Sequence, residues 1–332
     1  MAIQQINGIA ATDKVASLQT INFAKVLDDN DAETQKMIAA CEHYGFFYLD
    51  LNQDGGREML KNLEYLRSVM FDWFNQSLPT KMETITHSYA HGYKPTGIQS
   101  GITTNSKDGF EALKVGRDEL KGAWALPPIV KANRQTLSDF SDASHFVLKT
   151  LLDRLSSGLG LTGDKSLHKY AREGEPSKST LYFLHYPAAA LQHEGVGQNM
   201  HTDIGLLTLL FAPQWGLQAM SPDNGEWEWV EPKAGYAIIN VGDSLRFLSG
   251  KKFRSALHRA VPAEGVDRAA ISYFLRASDS TSFVDSDESS TDARAWFLKK
   301  YDVYEQPHEV QKKDTTLSGG MAQEIALVKS VA

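Results

Sequence analysis

The chain of 332 residues has a single cysteine, Cys41, so no disulfide can close within it and a reducing compartment is the expectation. It has no uninterrupted apolar run approaching the ~18 residues that a membrane-spanning helix needs. Its start, Met1-Ala2-Ile3-Gln4-Gln5-Ile6, lacks the basic segment and apolar stretch of a secretory leader. A soluble, cytoplasmic protein is therefore expected. Basic blocks are missing too: 34 Lys and Arg stand against 41 Asp and Glu, a net charge of −7. That excludes a surface built to track nucleic-acid phosphates. Neither a dinucleotide-binding glycine fingerprint nor a His-Glu-x-x-His zinc motif is found.

What is present suits one large globular unit, with 42% hydrophobic and 23% charged residues. The first half is helix-rich. A short strand around Thr20-Ile21-Asn22-Phe23 precedes a helix over about 31–43, in which Cys41 reads as a packed core thiol. Gly45 ends that helix, and Phe46-Phe47-Tyr48-Leu49 has strand character. Leu60, Leu63, Leu66, Met70, Phe71 and Phe74 recur at three- and four-residue spacing, which predicts an amphipathic helix before Pro79. A second helix is expected over about 135–157, with His145 as a core or boundary histidine. Between them, 87–116 carries five glycines and little periodicity, and reads as a long loop.

The second half alternates. Short strands are predicted at 180–186, 206–212, 217–220, 226–230, 236–241, 256–261 and 271–276, separated by turn signals such as Pro222-Asp223-Asn224-Gly225. That pattern predicts an α+β protein whose core is a double-stranded β-helix, or jelly roll, with N-terminal and flanking helices. A helix over 293–304 and a glycine-containing tail past Asp314, loosely ordered or folded back as a lid, complete the chain. The expected organisation is an N-terminal region 1–175, a β-core 176–290 and a C-terminal helix and tail 291–332.

The chemistry centres on His201-Thr202-Asp203. On an extended strand, side chains two apart share a face, so His201 and Asp203 point into one cavity. A His-x-Asp pair arises about once by chance in a chain of this composition, so its surroundings decide. Downstream stand Asn240-Val241-Gly242-Asp243, then Ser249 through Ser255-Ala256-Leu257-His258-Arg259, then Asp267-Arg268. This order resembles the iron(II)/2-oxoglutarate-dependent dioxygenases of the isopenicillin N synthase-like group over most of the chain. The resemblance implies an Fe(II) site of His201, Asp203 and His258, two imidazoles and a carboxylate that leave positions open for an oxo acid and dioxygen. It gives Arg268 and Tyr186 the distal carboxylate of 2-oxoglutarate, a task suited to a guanidinium fork. It makes the stretch 87–116 a substrate-entrance segment.

Two positions depart from the family pattern. Its asparagine two before the tyrosine is Leu184 here, and its serine two after the arginine is Ala270. Strand alternation puts Tyr182 and Leu184 beside Tyr186 on the cavity wall, and Phe211 and Phe274 are further wall candidates. Asn240, Gly242 and Asp243 are assigned to shaping the barrel end. The expected activity is oxidation of a C–H bond in a mostly apolar small molecule, an intermediate of specialised metabolism, with no nucleic-acid or membrane partner. Two other readings stay open: an iron oxidase of the same fold that does not consume 2-oxoglutarate, which Leu184 and Ala270 favour, and a non-catalytic jelly-roll binding protein.

Overall fold

Period-two alternation in the second half of the chain produces strands, and three- and four-residue spacing in the first half produces helices. The computed structural model describes residues 14–86, 88–123, 125–191, 197–262 and 266–331. In chain order the strands of its two main sheets are β1 Thr20–Asn22, β2 Phe46–Asp50, β3 Gly92–Lys94, β4 Glu111–Gly116, β5 Thr180–Tyr186 and β6 Gln198–His201. They continue with β7 Leu207–Phe211, β8 Leu217–Met220, β9 Trp227–Trp229, β10 Tyr236–Val241, β11 His258–Ala260 and β12 Arg268–Leu275. The larger sheet runs β1-β2-β10-β7-β12-β5-β4-β3 and the smaller β6-β11-β8-β9. Every pairing in them is antiparallel except β1 with β2. This is the expected double-stranded β-helix in an α+β setting.

One face of the larger sheet is covered by the helices Arg57–Phe74 and Arg134–Gly158. Leu66, Met70, Trp73, Leu137, Phe140 and Leu152 pack there against Phe183, Leu209, Ile271 and Tyr273. The other face meets the smaller sheet, where Phe46, Tyr48 and Ile238 touch Leu217 and Ala219. Toward one end this second layer opens around Tyr182, Leu184, Tyr186 and Ala270, and there lies the cavity. Strand parity thus divides each central strand into a helix-facing set and a cavity-facing set.

The helices Asp31–His43 and Ala293–Tyr304 fall where the spacing places them, each with its cap: Asn30 accepts from Glu33 N–H and Asp292 from Ala295 N–H. Cys41 is fully buried, and burial pushes its thiol well above the usual range. The stretch 87–116 departs from expectation. It is not one loop but two strands, β3 and β4, flanking the segment 95–110. Its buried positions are occupied by Lys94, Glu111 and Lys114, and those charges hide the alternation that would have marked strands. The strand β6 was also missed, and β12 begins at Arg268, three residues earlier than predicted. The tail packs back on the core: Leu317 C=O accepts from Thr202 N–H, and Arg246 meets Gly319 and Glu324. Among the described residues no helix is long and apolar enough to cross a membrane.

Candidate active site

His201 closes β6, and His258 opens β11 directly opposite it in the antiparallel register. Their rings lie 4.3 Å apart. Each ring donates through Nδ1 to a carbonyl two residues back, His201 to Asn199 (2.9 Å) and His258 to Ala256 (3.1 Å). A carbonyl only accepts, so each Nε2 carries the lone pair a metal would take, and at His201 the Gln198 amide nitrogen lies 3.4 Å from it. Both Nε2 atoms lie 3.6 Å from Oδ1 of Asp203, and the three residues offer ligand atoms within 4.8 Å of one another. Oδ2 of Asp203 is already engaged, accepting from Thr208 Oγ1 (2.6 Å) and Asn240 Nδ2 (2.7 Å). One oxygen is left for the metal.

The protonation states suit a divalent cation. Burial works to raise the Asp203 carboxyl, but His258, His201 and the Thr208 hydrogen bond hold it well below the usual carboxylate range. Burial, with the charge of His201 adding to it, pushes His258 down to about 4. A carboxylate at Asp203 and a neutral imidazole at His258 are the forms that bind a metal.

The frame behind the site explains the Asn-x-Gly-Asp sequence. Asn240 is the hydrogen-bond donor just described, so it does more than shape the barrel end. A Cβ on Gly242 would lie 2.3 Å from the Gly205 carbonyl oxygen, so only glycine allows that approach. Asp243 N–H donates to the Asp203 carbonyl (2.7 Å), while its buried carboxylate accepts from Ser255 Oγ (2.8 Å) and pairs with Lys300. Lys300 also donates to Thr202 Oγ1 (2.7 Å), tying the helix Ala293–Tyr304 to the metal-site loop. Phe46 packs edge-on against His258 (5.4 Å) and Tyr304 against His201 (5.6 Å).

Arg268 and Tyr186 are register partners on β12 and β5, and the guanidinium lies 5.0 Å over the tyrosine ring. Tyr186 OH donates to Gln198 Oε1 (3.3 Å), and Gln198 lies beside His201. Arg268 is 4% exposed, pairs with no carboxylate among the described residues, and its Nε has no partner. Gly216, at φ +128°, presses its backbone there: a Cβ would meet Arg268 Nε at 2.8 Å. A buried guanidinium without a carboxylate partner, in the cavity that holds the three candidate metal ligands, fits an oxo acid reaching from metal to arginine. Leu184 and Ala270 prove to be cross-strand partners. The departure from the family pattern thus places an apolar pair here and strands no single polar group.

Tyr182, Leu184 and Phe274 line the cavity as expected. Phe211 does not. On β7 the cavity-facing residues are Thr208 and Leu210, and Phe211 turns to the helix layer, where its ring lies 6.2 Å from that of Phe140. His185 faces away from the cavity toward Glu111, and His145 meets the Tyr273 hydroxyl. His87 and His193 lie outside the described residues. Sequence reasoning missed Thr208, Lys300, Tyr301 and Tyr304. The last three share one helix face with Trp296 and Phe297, a three- and four-residue repeat that was readable as a face but not as a cavity wall.

The sequence pattern of the 2OG-Fe(II) oxygenase superfamily matches residues 178–277. A 2-oxoglutarate-dependent dioxygenase of Gibberella zeae is 53% identical over 94% of this chain and 95% of its own length. Another, from a Dothideomycetidae species, is 40% identical over 93% of this chain and 97% of its own. Among solved structures, a full-length Neurospora crassa protein in complex with alpha-KG and thymine superposes with a TM-score of 0.71, at 19% identity, over 91% of this chain and 99% of that one. With two histidines and a carboxylate converging beside an unpaired arginine inside a double-stranded β-helix, these likenesses place the chain in the 2OG-Fe(II) oxygenase superfamily, as a dioxygenase that uses Fe(II), 2-oxoglutarate and dioxygen.

Proposed function

We propose that the enzyme oxidises a C–H bond of a mostly apolar small molecule, an intermediate of specialised metabolism, with His201, Asp203 and His258 as the iron ligands. The observation that carries this is the orientation of Asp203, whose Oδ2 is held by Thr208 and Asn240 while Oδ1 faces both imidazoles. Bound iron and 2-oxoglutarate supply the oxidising power, with dioxygen consumed and the oxo acid converted to succinate and carbon dioxide. The chain's own part is to hold and exclude. Arg268 receives the distal carboxylate of the oxo acid, and Tyr186 backs the guanidinium with its ring. Tyr182, Leu184 and Phe274 form the substrate wall, and the segment 95–110 supplies Gln99 and Phe110 to the entrance. These walls fix which C–H is presented and keep bulk water from it. The sheet-forming N-terminal region, the β-core and the C-terminal helix and tail act as one support for this cavity. An oxidoreductase of Penicillium aethiopicum, 39% identical over 92% of this chain, supports an oxidation.

An anaerobic Fe(II) titration with and without 2-oxoglutarate tests the assignment, through the visible charge-transfer band of an oxo acid chelated to iron. The band is expected in the native chain. In Arg268→Ala the half-saturating 2-oxoglutarate concentration should rise at least tenfold; an unchanged value moves the anchor elsewhere. Iron binding without a band would favour the oxidase reading, and no iron binding would end the catalytic one.

A further inference from the structure

A buried cation costs several kcal/mol unless a carboxylate faces it. Four of the buried cations meet that condition: Lys81 with Glu111, Lys94 with Asp108, Lys300 with Asp243 and Arg246 with Glu324. Three others, Arg268, Arg276 and Lys114, pair with no carboxylate among the described residues. The oxo acid accounts for Arg268. It leaves Arg276 and Lys114 without a countercharge.

Arg276 repeats the features of Arg268 at the opposite end of one row. Residues 268, 270, 272 and 274 of β12 all line the cavity, and Arg276 follows them on the same parity. Its side chain is 5% exposed and its Nε has no partner. One terminal nitrogen donates to the Lys178 carbonyl, and the guanidinium lies 5.2 Å from the Phe274 ring centre and 4.7 Å from that of Phe297. Arg268 shows the same set: burial, an orphan Nε, no carboxylate, an aromatic ring beneath it. An arginine therefore stands at each end of a row whose intervening residues are Ala270, Ser272 and Phe274.

Lys114 adds positive charge from behind that wall. Its Nζ lies 5.6 Å from the Tyr182 ring and 5.2 Å from the Tyr301 ring, and donates to the Tyr89 carbonyl (3.2 Å). Burial first, then the charges of Lys94 and Arg276, push its ammonium down to about 7. Glu305 acts on it in the other direction, but is exposed and makes no ion pair with it. Arg276 also borders a separate hollow lined by Asp118, Glu119 and Glu175, but makes no ion pair with any of them.

We propose that Arg276 binds a carboxylate of the substrate, so that the substrate is an organic acid with an apolar body lying along Phe274, Tyr182 and Leu184. This rests on the dioxygenase reading of the same cavity and names the substrate class within it. A guanidinium fork matches a planar carboxylate, and an anion there would supply the missing countercharge to both Arg276 and Lys114.

The test uses protein loaded anaerobically with Fe(II) and saturating 2-oxoglutarate, so that Arg268 is occupied. A series of straight-chain alkanoates from butanoate to decanoate, and the alcohols of matching length, are titrated against thermal stability and against the charge-transfer band. At least one acid should bind the native enzyme ten times more tightly than its alcohol. Arg276→Gln should erase that preference while the 2-oxoglutarate band is retained, and Arg276→Lys, which keeps charge without the fork, should restore part of it. If the glutamine variant does not fold, as a missing band would show, the lysine variant decides: an acid preference equal to the native one overturns the proposal. So does binding of alcohols as tight as acids, or no binding by any alkanoate, in a native enzyme that shows the band. Absence of the band in the native enzyme instead overturns the dioxygenase reading on which the proposal stands.

Discussion

Asp203 is the residue on which the site turns, because its two oxygens have different tasks. Oδ2 is spent on Thr208 and Asn240, so Oδ1 faces the two imidazoles. Asn240→Ala removes one of those holds, leaves the carboxylate free to rotate, and should weaken Fe(II) binding by about 10- to 100-fold in an anaerobic titration. Native-like affinity would reduce Asn240 to a packing residue. Gly216 is the equivalent for the oxo-acid end, since its backbone touches the Arg268 side chain and its φ of +128° excludes most side chains. Gly216→Ala should displace the guanidinium and raise the half-saturating 2-oxoglutarate concentration by about tenfold, with Fe(II) affinity unchanged. Equal loss of both affinities would mean the strand end has collapsed instead.

At the scale of elements, the helix Ala293–Tyr304 is fixed to the β-core by the wholly buried pair of Lys300 and Asp243. Lys300→Met strands an anion in the interior and should cost about 3–5 kcal/mol in urea unfolding. Adding Asp243→Asn should recover part of that loss; no recovery would show that the ammonium acts mainly through Thr202. This helix was legible from its spacing to the residue, but Lys300 was not, because a charged side chain ordinarily reads as solvent-facing. The same masking hid β3 and β4. Phe211 was misplaced for another reason: the turn at Ile204-Gly205-Leu206 breaks the alternation, so the parity of Asp203 cannot be carried into β7. His201, Asp203 and His258 were legible because short-range spacing and a family-like order coincided. Thr208, Tyr301 and Tyr304 depend on which face a distant element presents, and local pattern does not encode that.

The whole molecule carries a pH signature remote from the metal. His145 is held between the Tyr273 hydroxyl (2.9 Å) and Glu173 (3.0 Å), and burial, followed by the Arg117 charge, pushes its ring down from 6.5 to about 4. Between those values the unfolded chain takes up a proton that the folded ring refuses, so stability falls as pH drops through the window, by at most about 1.4 kcal/mol per pH unit. Urea unfolding at pH 7.5 and pH 5 should show a smaller loss in His145→Gln than in the native chain; equal losses would place the sensitivity elsewhere. The fold also sets an order of events during synthesis. The three proposed ligands lie at 201, 203 and 258, but Thr202 between the first two is gripped by Lys300 and by the Leu317 carbonyl. The metal-site loop is therefore locked only after residues near 317 have left the ribosome. Closing the proposed iron site thus depends on contacts from residues far downstream of its first ligand.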